Sequence, residues 1–153
     1  MIRFFSTTIF IFMLAAFCRA QTTTVSATKK PAPPQASSVI KSSPAYAELL
    51  LLRTERESKL EEFLLDYTEE FPKVKEIKFE LGLLNKEMNK ILALNTSQSG
   101  KLTLALGKLI VRKIELETDL WNVRRQYKDD HPQVKRAKRK VEVYEKAIIE
   151  ILP

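Results

Sequence analysis

The sequence predicts an all-α protein: two tandem helical hairpins forming an antiparallel four-helix bundle or an elongated coiled coil. Three observations predict it. First, Tyr67 to Ile91 can be laid over Tyr127 to Ile151 without a gap at a spacing of 60 residues, so that Tyr67-x-x-x-Phe71-Pro72-x-Val74 becomes Tyr127-x-x-x-His131-Pro132-x-Val134. Second, an apolar ladder in steps of three and four follows each copy: Val74, Ile77, Leu81, Leu84, Met88 and Ile91, against Val134, Ala137, Val141, Tyr144, Ile148 and Ile151. That period places one oily seam along an α-helix. Third, glycine is confined to Gly82, Gly100 and Gly107, β-branched alternation is absent, and Leu, Lys and Glu abound. Such a composition suits helices rather than sheets.

The elements follow in order. Residues 1–20 read as an export signal: Arg3 gives a basic start, Phe4 to Phe17 is largely apolar, and Cys18-Arg19-Ala20 offers a small-x-small cleavage site. The apolar stretch is shorter than the roughly 20 residues a bilayer span needs, and the competing reading is an uncleaved anchor. Cleavage after Ala20 would remove Cys18, the only cysteine, leaving no thiol or disulfide chemistry. Residues 21–44, rich in Thr, Ser, Ala and Pro, read as a disordered linker with little to bury.

Hairpin repeat 1 is expected over 45–94, a loop over 95–100, and hairpin repeat 2 over 101–153, with helices near 45–68, 73–94, 101–128 and 133–152. Stepping back from Tyr67 gives the seam Phe63, Leu60, Arg56, Arg53, Leu49 and Tyr46. From Tyr127 it gives Val123, Leu120, Leu116, Lys113, Leu109 and Leu106. Charged residues thus interrupt both seams. Pro72 and Pro132 separate the helices of each pair, because a proline disfavours helical geometry in the residue before it yet suits the first turn of a new helix. Tyr67 is expected to face Val74 across the turn, and Tyr127 to face Val134. One long helix kinked at each proline is the alternative. Asn95-Thr96-Ser97 also fits a glycosylation acceptor, relevant only in a eukaryotic secretory pathway.

At this level the tandem Tyr-x-x-x-His-Pro-x-Val element with its coiled-coil seam resembles the periplasmic coiled-coil segment of polysaccharide chain-length determinant (Wzz-like) proteins. The likeness covers about 45–153. The second copy (Tyr127, His131, Pro132, Val134) matches best, and the first departs at Phe71. Those proteins have flanking transmembrane helices and a mixed α/β domain, which this sequence does not suggest. The resemblance implies a bacterial envelope setting and a helical-hairpin role, and it does not extend to control of polymer length.

Catalysis finds no support in the residues. His131 is the only histidine, its counterpart is Phe71, and a turn-packing or capping role suits both. Glu61, Glu62, Asp66, Glu69, Glu70, Asp129 and Asp130 read as solvated acids, since acid–base work needs a concave site that drives two pKa values apart. No metal ligand set, phosphate loop or cofactor motif is present, and no cofactor is expected. Charge is uneven: residues 45–100 carry 8 basic and 11 acidic side chains, residues 101–153 carry 13 and 8. The densest patch, Lys135, Arg136, Lys138, Arg139 and Lys140, makes an anionic polysaccharide or lipid surface a candidate ligand. Nucleic acid is the least favoured of the polyanions, because no aromatic residues interleave with the patch.

A second apolar stripe (Ile110, Ile114 and Trp121, with Leu50, Leu64, Leu83, Leu92 and Leu94) exceeds what one hairpin can cover. The expected function is therefore non-catalytic: an exported protein, periplasmic or secreted, that associates with itself or with an envelope or polysaccharide-export complex. The alternatives are a basic periplasmic holdase-like chaperone and a peripheral binder of anionic polymer or membrane.

Overall fold

Helix follows helix because every long apolar ladder has a capping residue or a proline at its start. The computed structural model describes residues 36–153; the expected signal segment and residues 21–35 lie outside them. The order is α1 (Ala36–Lys41), α2 (Pro44–Asp66), α3 (Pro72–Leu92), a 3₁₀ turn (Thr96–Lys101), α4 (Leu104–Arg124) and α5 (Pro132–Ile151), with no strand among the described residues. The proline turns separate distinct helices rather than kinking continuous ones.

The duplication reaches further upstream than the Tyr-to-Ile match. Shifted by 60 residues, α1 falls on the 3₁₀ turn, α2 on α4 and α3 on α5. The caps match as well: Ser43 Oγ accepts from the Tyr46 amide at 3.3 Å, and Thr103 Oγ1 accepts from the Leu106 amide at 3.3 Å. Each cap satisfies a first-turn donor that has no partner within the helix.

This repeat geometry corrects two expectations. The 21–44 linker is not unstructured to its end, because α1 is helical and Ile40 is fully buried in the main core cluster. Burying one isoleucine contributes about 1.5–3 kcal/mol, enough to hold a short helix that composition alone reads as tether. The 95–100 loop is largely a 3₁₀ turn, against which α1 packs.

Helix α4 is the hub. It packs against α5, α2 and α3, and α2 also packs against α3, so α2, α3 and α4 enclose the core. Leu49, Leu84, Met88, Ile91, Leu106, Ile110 and Ile114 fill it. Helix α5 rests almost entirely on α4, with Ile148, Ile151 and Leu152 of its last turns reaching the core cluster. The two equivalent ladders therefore have different fates. On α3, Val74, Ile77, Leu84, Met88 and Ile91 are buried; on α5 only Val134 and Val141 are. Both hairpins carry the same pattern, but repeat 1 lies against a second repeat and α5 has no further neighbour.

Candidate functional site

The two proline turns are built alike. Each tyrosine closes its helix with an amide bond four residues back, Tyr67 to Phe63 O at 2.9 Å and Tyr127 to Val123 O at 3.0 Å. Phe71 and His131 then adopt extended backbone before Pro72 and Pro132, as sterics before a proline require. His131 Nδ1 also accepts from the Gln133 amide at 3.2 Å, a cap that Phe71 cannot make. The tyrosines do not behave as expected. Val74 and Val134 are fully buried, whereas the tyrosines stay 46% and 37% exposed. Tyr67 stacks on Phe71 at 4.1 Å and Tyr127 on His131 at 4.2 Å. In both turns the phenol lies against the ring four residues ahead, and the buried side chain of the motif is the valine. These turns are packing devices.

Of the charges that interrupt the seams, Arg53 pairs with Glu57 of its own helix, and Arg56 and Lys113 are clamped by α3. Arg56 Nε donates to Glu80 at 2.7 Å, and Lys113 Nζ donates to Glu87 at 3.0 Å. Glu80 and Glu87 lie one heptad apart on α3, so a single helix neutralises the charges of both repeats. Burial alone would push the Glu87 carboxyl up, but hydrogen bonds from Lys90 and Lys113 hold it below the ordinary carboxylate value. Burial likewise opposes the charge on Lys113, and Glu87, Glu117 and Glu145 raise it above the ordinary lysine value. This cluster was not recognised from sequence. The signal for it was the lysine in an otherwise apolar seam.

Beyond the shared apolar core, three polar or aromatic contacts join α3 of repeat 1 to α4 of repeat 2. Besides Glu87–Lys113, Asn122 donates to Glu76 at 3.1 Å, and Phe79 stacks on Trp121 with centroids 5.0 Å apart. Burial would push Glu76 up, yet Lys73 and Asn122 hold it below the ordinary carboxylate value. Arg125 lies over the Trp121 ring at 4.7 Å. Between α3 and α5, above α4, a cleft lined by Phe79, Leu83, Leu120, Trp121 and Val141 stays open.

The basic patch is divided. Lys138 reaches Asp129 at 3.3 Å, as Lys78 reaches Glu69 at 3.0 Å in the first repeat. Lys75 also bonds Glu70, but Asp130, one methylene shorter than Glu70, makes no such bond to Lys135. Lys135, Arg136, Arg139 and Lys140 are exposed and have no ion pair among the described residues. The first turns of α3 are thus neutralised internally, and those of α5 remain cationic.

Among the described residues, no group of three or more His, Cys, Asp or Glu side chains is placed to hold a metal, and no helix is long and apolar enough to cross a membrane. Compared with known proteins, the chain matches no family model, no curated protein and no solved structure.

Proposed function

We propose that this is an exported, non-catalytic protein of the cell envelope that works by helix-mediated association, with itself or with an envelope or polysaccharide-export complex. The observation that carries the reading is apolar surface left uncovered on both flanks of the fold. Leu50, Leu51 and Leu65 are exposed on α2, and Val143 and Ile149 on α5, although each helix packs against α4 along another face. Such side chains are a drive to associate when they recur on one element. A second reading, contact with an anionic polymer or lipid surface, draws on Lys135, Arg136, Arg139 and Lys140, which are exposed on the first turns of α5.

Photo-crosslinking in the producing cell tests the main reading. A crosslinking residue at Leu51 or at Val143 is expected to give discrete adducts, with the same chain or with one envelope protein. Absence of adducts from both positions would contradict it.

A further inference from the structure

We infer that copies of this chain join head to tail, the exposed face of α5 in one copy receiving α2 of the next as α3 receives α4 within the chain. This deepens the association reading and rests on it. The argument is the internal repeat itself. Every contact by which α3 holds α4 can be moved 60 residues along, which replaces α3 by α5 and α4 by the α2 of a following copy. Glu76–Asn122 then becomes Arg136 opposite Glu62, and Phe79–Trp121 becomes Arg139 opposite Glu61. Glu87–Lys113 becomes Ala147 opposite Arg53, whose charge is already met by Glu57 at 2.8 Å. An amide–carboxylate bond and an aromatic stack are thus replaced by two opposite-charge pairs, and the Glu87–Lys113 pair by a contact without charge conflict.

The four charged residues are available for those pairs. Glu61, Glu62, Arg136 and Arg139 are all exposed, and none has an ion pair among the described residues. The apolar residues agree. On α4, Ile110 is buried and Val111 packs against the core; the equivalent residues of α2, Leu50 and Leu51, are 44% and 58% exposed. Helix α2 therefore bears two uncovered leucines at the positions where α4 buries Ile110 and packs Val111. Repeat proteins that remain single carry polar terminal repeats; here both ends present apolar side chains with complementary charge. Such an interface uses different surfaces on the two partners, so it propagates into an open chain or closes as a ring.

The purified protein and three variants test this in sedimentation velocity at low salt: Glu61→Lys with Glu62→Lys, Arg136→Glu with Arg139→Glu, and all four changes together. The positions are exposed, and circular dichroism checks that each variant keeps its helices. Either reversal alone should weaken self-association at least tenfold. The four-fold variant should recover it. Mixing the two double variants should restore association with the two chains alternating, because α5 of each variant is complementary in charge to α2 of the other and repels its own. Variants that associate like the wild type, or a mixture that stays monomeric, would overturn the inference. So would a monomeric wild type that Arg136→Glu with Arg139→Glu releases from an anionic dextran matrix, a result that assigns these cations to a polyanion. A monomeric wild type that still crosslinks to an envelope protein would overturn the head-to-tail pairing and leave the association reading standing.

Discussion

Replacing Glu87 with leucine should destabilise the protein by about 3 kcal/mol, lowering Tm by roughly 10 °C, whereas replacing Glu87 and Lys113 together by leucine and methionine should leave stability near that of the wild type or above it. Lys113 is only 5% exposed, and without Glu87 its buried ammonium loses its hydrogen-bonding carboxylate and keeps only the more distant Glu117. Breaking one side of a buried pair costs about 3–5 kcal/mol. The lower end applies because Glu117 stays 3.7 Å from Lys113. Lys113→Met alone should cost less, since Glu87 keeps Lys90 at 2.8 Å, and that lysine is half-exposed. A double-mutant cycle by thermal unfolding would show this as strong coupling; additive costs would refute the account.

The same pair sets a pH signature. Glu87 titrates lower in the folded protein, so its contribution is present above the ordinary carboxylate value of 4.5 and is lost as pH falls through the folded value. Lys113 titrates higher when folded, so its contribution is present below 10.5 and is lost as pH rises through its folded value. The double replacement should flatten both ends of the stability profile.

Gly107 gives the second large effect. A β-carbon there would lie 2.9 Å from the Ala45 Cα and 3.0 Å from the Glu48 Cβ, where α4 crosses α2. Glycine within a helix costs about 1 kcal/mol relative to alanine, so its presence marks the close approach. Gly107→Val should cost about 3 kcal/mol or more, as two backbones are forced apart. Gly82, also mid-helix, has nothing within 4 Å of that position, and Gly82→Ala should stabilise by about 1 kcal/mol. Chemical denaturation of the two variants separates the roles; equal responses would mean that the helices do not meet at Gly107.

The fold class and the hairpins were legible because Tyr67 and Tyr127, the two prolines and the ladders recur at one spacing. The upstream part of the repeat was hidden, since Ala36–Lys41 and Thr96–Lys101 take equivalent places before a capped helix, one α and the other 3₁₀, but share little sequence. Lys113 looked like a flaw in its seam because its partner Glu87 sits 26 residues away on another helix. Gly82 and Gly107 look alike in sequence, and only tertiary contact tells them apart. The basic run was visible, but Lys138's turn toward Asp129 depends on where the turn places that carboxylate. That α5 lacks the neighbour α3 possesses is likewise a property of the assembled helices.

Sedimentation velocity of the unmodified protein over rising concentration, first at low and then at high salt, tests the central claim most directly. The predicted result is a series of species heavier than one chain that grows with concentration and shrinks as salt screens the Arg136–Glu62 and Arg139–Glu61 pairs. A single monomeric boundary at every concentration in low salt would contradict it.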